Sequence, residues 1–242
     1  MLSMNSIHIG LSGYSYKPWQ GVGRFYPEKL KSAEFLRYYA DRFNTVELDG
    51  VWYRLPTEQM VQGWLEQTSS SFIFSPKAHR QITHMQRLRP DALPFVRAML
   101  DRLAPLLKQN RLGPVLLQLP PNFRRDDDRL NAFLEQVPRT IRWALEFRHE
   151  SWRVQEVEEL LRHHGVSWVA ADTDESPAQL RDTAEFWYVR LRRSEYTEAT
   201  LLEWAARFTD MARRGKDCFI YCKHENEGSP WIWANRLREL IR

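Results

Sequence analysis

Apolar runs of strand length recur along this 242-residue chain, and nearly every one ends on a charged or strongly polar residue. Val46-Glu47, Phe72-Ile73-Phe74 running to Lys77, Val115-Leu116-Leu117-Gln118, Ala144-Leu145-Glu146, Trp168-Val169-Ala170-Ala171-Asp172, Tyr188-Val189-Arg190 and Phe219-Ile220-Tyr221-Cys222-Lys223 all follow this pattern. Side chains inside a strand that is buried on both faces must pack, so polar groups gather where the strand emerges. A (β/α)8 barrel enzyme needs such polar strand ends, because its site is assembled from the C-terminal ends of several strands.

Strand candidates are centred near residues 9, 47, 74, 117, 145, 170, 189 and 220. Amphipathic segments separate most of them, running over 33–43, 58–67, 95–109, 129–136, 154–163, 201–213 and 231–240. The expected architecture is therefore a single α/β domain spanning 1–242, a (β/α)8 TIM-like barrel, close to the roughly 250 residues typical of one. Only thirteen residues separate Asp172 from Phe186. The crossover between strands six and seven is thus expected to be short or irregular, without room for a full helix.

Hydrophobic residues at 43% and charged residues at 27% are ordinary for a globular protein, and no apolar stretch approaches a membrane span. The opening Met1-Leu2-Ser3-Met4-Asn5 lacks the basic and hydrophobic segments of a signal peptide, so a cytoplasmic location is expected. The two cysteines, Cys218 and Cys222, lie four apart on one strand. That places them about 13 Å apart, too far for a disulfide, and they read as packing residues. A formal charge of +4 favours anionic partners without specifying nucleic acid.

Several clusters have a distinctive form: Gly13-Tyr14-Ser15-Tyr16 with Trp19 and Phe25-Tyr26-Pro27, Phe43-Asn44-Thr45-Val46-Glu47 with Tyr53-Arg54, Lys77 with Ile82-Thr83-His84, Gln118-Leu119-Pro120-Pro121, and Glu146 with Arg148-His149 and Ser151-Trp152. On these the chain resembles the YecE-like family, also catalogued as domain of unknown function seventy-two. The resemblance implies a barrel fold and leaves the chemistry to the residues. The chain departs from the family pattern at Arg192-Arg193, where a His-Gly pair is often found, and at Cys222-Lys223-His224-Glu225, where an aromatic-Asn-Asn is more usual.

Glu47 and Glu146 end two strands within apolar sequence, so folding desolvates both carboxylates. Burial raises a carboxyl pKa unless a cation sits nearby, which is how acid and base roles are separated. The competing reading is a pair of ion bridges, for example to Lys77 and Arg148. Lys77 could hold a phosphate, polarise a carbonyl or form a Schiff base, or simply form a salt bridge. Arg148 suits bidentate binding of carboxylate or phosphate, and His149 exchanges a proton near neutral pH, unless it merely bonds the local backbone while Trp152 packs beneath the loop. Asp172 either orients His149 or caps the next turn.

Tyr14 and Tyr53 are candidates to line a pocket while still donating a hydrogen bond. Gln118, Arg148, Trp152, Arg190, Lys223 and His224 complete the candidate substrate-binding set with Lys77. Glu47, Glu146, Asp172 and His224 offer a mixed oxygen and nitrogen shell, but no metal-binding motif occurs, and no metal is expected. Walker and dinucleotide fingerprints are likewise missing, and no cofactor is expected. The expected function is a metal-independent hydrolase or lyase acting on a small anionic substrate, such as a phosphorylated sugar or nucleotide fragment. Its acid and base would be Glu47 and Glu146, with His149 and Asp172 assisting. The alternatives are a nucleic-acid-binding protein without turnover and, third, a glycosidase.

Overall fold

The computed structural model describes residues 7–223 and 229–241. Strands stand at every expected position: β1 (Ile7–Ser12), β2 (Thr45–Leu48), β3 (Ile73–Pro76), β4 (Val115–Gln118), β5 (Trp143–Glu146), β6 (Ser167–Trp168), β7 (Ala170–Asp172), β8 (Phe186–Leu191) and β9 (Asp217–Cys222). The sixth expected strand is thus delivered in two pieces, interrupted at Val169. The helices are α1 (Phe35–Ala40), α2 (Gly50–Tyr53), α3 (Glu58–Glu66), α4 (Leu93–Lys108), α5 (Asp127–Gln136), α6 (Gln155–His164), α7 (Glu198–Arg213) and α8 (Pro230–Leu240). The segment between β7 and β8 carries no helix, in keeping with its length.

Local chemistry sets where the helices begin and end. Thr57, Asp126 and Thr197 each stand just before a helix and accept a hydrogen bond from a backbone N–H of its first turn. Each satisfies a donor the helix itself leaves unpaired. Gly165 ends α6 in the left-handed region, at φ 66°, which favours glycine.

All strand pairs are parallel, in two sheets. One has six strands in the order β3-β2-β1-β9-β8-β7, and the other has three in the order β4-β5-β6. The continuous ladders therefore do not run round one closed ring, as a barrel read from the sequence would have them. Two junctions lie between the sheets. Isolated parallel bridges pair Phe74 with Leu112 and Lys77 with Leu116, next to the end of β3 and the start of β4. At Val169 the backbone N–H still donates to Leu145 of β5, while the next residues pair with β8.

Two apolar cores result. The larger lies between the sheets and the helices. The smaller draws Leu116 and Ala144 from the three-stranded sheet and Phe186, Tyr188, Phe219 and Tyr221 from the six-stranded one. Polar atoms inside it are paired: Tyr221 donates to Ser75 at 2.6 Å and its hydroxyl lies 2.8 Å from that of Thr45. Arg111 is buried just before β4 without an acidic partner among the described residues. Its guanidinium donates to the carbonyls of Phe72 and Leu65, both at 3.1 Å, and to the Thr68 hydroxyl. Cys218 and Cys222 are free and buried, and burial pushes each thiol up to about 12.

Gly10 marks the tightest approach in the sheet. A Cβ there would lie 2.0 Å from the Thr45 carbonyl oxygen, which is ladder backbone and cannot swing aside. Gly10→Ala should therefore destabilise the fold by about 1–3 kcal/mol through overpacking. Thermal unfolding of the variant checks this, and an unchanged Tm would show that β1 and β2 can separate without cost.

Candidate functional site

Parallel strands deliver their C-terminal ends to one side, and the charged residues read from the sequence meet there. Arg190, on β8, is fully buried. One terminal nitrogen lies 2.8 Å from Glu47 Oε1 and the other 2.7 Å from Glu146 Oε2. Since Glu47 belongs to the six-stranded sheet and Glu146 to the three-stranded one, this guanidinium ties the two together. The ion-bridge reading of the two carboxylates is thus realised, with Arg190 rather than Lys77 as the shared cation.

Both carboxylates in this pair have further partners. Tyr188 donates to Glu47 Oε2 at 2.7 Å, and the Ser12 hydroxyl donates to Glu47 Oε1. Gln118 donates to Glu146 Oε1 at 2.8 Å, with Arg148 Nε at 3.3 Å and Arg192 at 3.6 Å. Burial alone would raise the Glu146 pKa, but Arg190, Arg148 and Arg192 outweigh it and hold that carboxyl well below the usual range. Burial likewise opposes the Arg190 charge, yet Glu47, Glu146 and Asp49 drive its pKa well above normal.

Asp49 extends the network one residue beyond β2. The Ser12 hydroxyl reaches its Oδ2 at 2.8 Å, while Lys223 stands 3.7 Å from Oδ2 and Lys77 4.0 Å from Oδ1. Asp49 Oδ1 is buried and, among the described residues, accepts no hydrogen bond. Burial would raise its pKa, but Lys223, Arg190 and Lys77 lower it on balance. Lys77 lies on the segment leaving β3, its amine 5.1 Å from the Trp52 ring. Burial, reinforced by Arg190 and Lys223 against the pull of Asp49 and Glu47, lowers its pKa to about 8. A single turn of π-helix, Gln81–Met85, follows and sets His84 edge-on to Trp52 with ring centroids 5.0 Å apart. Burial and the charges of Lys77, Arg148 and Arg87 bring His84 down to about 4.

Beside Asp49 opens a pocket of about 340 Å³, lined by Tyr14, Tyr16, Tyr53, Leu55, Met60 and Trp64 among others. Tyr53 is exposed at its rim, and the Tyr14 hydroxyl accepts from Trp64 at 3.2 Å. Both tyrosines picked from the sequence thus sit on one cavity, next to the charged cluster.

Other candidates are placed elsewhere. Trp152, expected to contact substrate, is fully buried: it stacks on Phe147 and donates to the Phe123 carbonyl at 2.7 Å, so it packs beneath the loop. His149 caps the turn Glu150–Trp152, its Nδ1 accepting from the Ser151 N–H at 3.1 Å and lying 2.9 Å from that residue's hydroxyl. Asp172 does not orient His149. It accepts from Arg193 at 2.8 Å, Tyr196 at 3.0 Å and the Ala178 N–H at 3.0 Å, which pins the helix-free crossover. His224 lies outside the described residues. Asp49, Ser12 and Tyr188 are site residues that the pattern of strand ends missed. The signal for Asp49 was its position two residues after Glu47, the spacing that returns a side chain to the same face of a strand. Among the described residues, no group of three or more His, Cys, Asp or Glu is arranged to hold a metal ion, and no helix is long and apolar enough to cross a membrane.

Residues 8–242 match the family described as "Protein of unknown function DUF72". The chain is 25% identical to UPF0759 protein YunF of Bacillus subtilis, over 97% of this chain and 94% of that protein. It is 32% identical to UPF0759 protein YecE of Escherichia coli K12, over 66% of this chain and 55% of that protein. A solved DUF72 family protein of Thermotoga maritima superposes with a TM-score of 0.82 at 27% identity, covering 97% of this chain and 98% of that one. Another, from Enterococcus faecalis, shares the fold at 18% identity with a TM-score of 0.76, covering 97% of each chain. With the family match running through every residue of the charged cluster, this chain belongs to the DUF72 family.

Proposed function

We propose that the chain is a metal-independent hydrolase or lyase for a small anionic substrate, bound where the parallel strands end. The observation that carries this reading is the placement of Lys77 and Lys223 on either side of the Asp49 carboxylate. Both stand beyond hydrogen-bonding distance of it, and among the described residues neither ammonium donates a hydrogen bond. Two cations sharing one carboxylate leave donors and positive charge for a phosphate or carboxylate. Arg148, one-third exposed, stands over Glu146 as a further contact.

Within this reading the roles are redistributed. Glu47 and Glu146 hold Arg190 and shape the field, and Lys77 is the group whose acidity suits proton transfer near neutral pH. The pocket beside Asp49 receives the remainder of the substrate. The glycosidase alternative lacks support, since cleavage of that kind needs two carboxyls facing each other across space for a sugar, and Arg190 occupies the space between these two. We further propose that the fold is a (β/α)8 barrel in which the β3–β4 bridges and the single-residue break at Val169 close the ring. The small core shared by both sheets supports that closure.

A screen of phosphate esters, sugar acids and oligonucleotides tests the function. On any substrate found, Glu47→Gln is expected to lower kcat by at least about a hundredfold with KM changed little, because it disturbs Arg190 without removing the clamp. A protein that only holds nucleic acid would behave oppositely. Oligonucleotide affinity would fall steeply with salt, Glu47→Gln would leave it intact or stronger, and no class of substrate would turn over.

Lys77 also makes anion affinity depend on pH. Its pKa of about 8 lies below the ordinary lysine value, so it is mostly charged at pH 7 and loses that charge as pH rises through 8. Methyl phosphate should therefore bind several-fold more weakly at pH 9 than at pH 7, with proton uptake on binding at the higher pH. Lys77→Arg should flatten that profile. Calorimetry in buffers of different ionisation enthalpy measures both, and a flat wild-type profile would remove Lys77 from the clamp.

A further inference from the structure

We infer that Lys77 is a Schiff-base lysine, and that the substrate is a small keto or aldehyde compound carrying a carboxylate or phosphate. The inference rests on the anion-binding reading above and assigns it to the lyase branch. Geometry comes first. The Lys77 amine is largely buried, donates no hydrogen bond among the described residues, and faces the aromatic ring of Trp52 on one side. Also near it, 4.0 Å away, is Asp49 Oδ1, a buried carboxylate oxygen that accepts no hydrogen bond among the described residues. An idle donor thus confronts an idle acceptor across a gap too wide for a direct bond. A tetrahedral adduct on the amine places a hydroxyl in that neighbourhood.

Burial of the amine favours its neutral form. Burial is the largest cause, and the cations Arg190 and Lys223 add to it, while Asp49 and Glu47 pull the other way. Desolvation next to other cationic groups is the usual way a lysine is made nucleophilic near neutral pH. Arg148 and Lys223 remain to hold the anionic end of the substrate.

The chemistry balances without any outside reactant. Asp49 takes a proton from the ammonium, and the freed Nζ pair attacks the carbonyl carbon while the C=O π pair moves to oxygen, which takes a second proton from that nitrogen. The resulting hydroxyl then leaves as water, carrying the proton that Asp49 had accepted, as the nitrogen pair forms C=N. One ammonium and one carbonyl become one iminium and one water, with no change in total charge or redox state. The iminium then draws electrons from the adjacent carbon, which is what cleavage of a C–C or C–H bond there requires.

Borohydride trapping tests this. The protein is incubated with pyruvate, dihydroxyacetone phosphate or glyceraldehyde 3-phosphate, reduced with sodium borohydride, digested and mapped by mass spectrometry. A reduced adduct adds the mass of the carbonyl compound less one oxygen atom. The exposed Lys17, Lys29, Lys31 and Lys108 of the same chain serve as internal controls. With at least one of the three compounds, Lys77 should label more than about tenfold faster than any control at pH 7.5, and its rate should climb as pH rises through 8. That slope is opposite in sign to the pH dependence of reversible anion binding. Asp49→Asn should slow labelling of Lys77 by about tenfold or more while leaving the control lysines unchanged. If Lys77 labels no faster than the controls with all three compounds while methyl phosphate still binds, the Schiff base is overturned and the anion-binding reading stands. If methyl phosphate does not bind and nothing labels, both are overturned.

Discussion

Arg190 is the interaction on which the rest of the structure depends. It lies in the interior, where a charge is tolerated only if paired and hydrogen-bonded, and it is paired across the boundary between two sheets that share few ladder hydrogen bonds. Removing either carboxylate would leave a buried cation with half its compensation, a change that typically costs about 3–5 kcal/mol. The same pairing fixes the position of two strand ends relative to one another and contributes to the potential felt by Asp49 and Lys77. Structure and site chemistry therefore cannot be separated at this residue.

The consequence is a division of labour among charges. Glu47 and Glu146 are saturated with donors from Arg190, Tyr188, Ser12 and Gln118. The groups around Asp49 are undersupplied by comparison, with one oxygen unbonded among the described residues and two ammoniums at a distance. Saturated networks rigidify, and undersupplied ones wait for a ligand.

Much of this was legible in the sequence because strands buried on both faces leave few places for polar residues. The positions of the strands followed from that alone, as did the convergence of Glu47, Glu146 and Arg190. The break at Val169 was not legible: Trp168-Val169-Ala170 reads as one apolar run, and only the change of partner from β5 to β8 divides it. Loop residues were less readable for a different reason. Arg148, His149 and Trp152 follow one strand end within five residues, and sequence alone cannot tell which side chains turn toward the cluster and which turn back to pack. Arg148 turned toward it, while His149 and Trp152 serve the loop. The departure at Arg192-Arg193 also has a structural account, since Arg192 faces Glu146 and Arg193 grips Asp172, tying down a crossover that has no helix of its own.

Among the described residues Arg111 is anchored by carbonyls and a hydroxyl, whereas Arg190 depends on carboxylates. Acid treats these two anchors differently. Glu146 contributes stability above the unfolded carboxyl pKa of about 4.3, and that contribution drains away as pH falls toward its depressed folded value. Carbonyl acceptors do not titrate in that range. In acid the protein should therefore loosen first at its charged end, while the wall around Arg111 keeps its shape, so that one molecule carries both an acid-labile end and an acid-tolerant base.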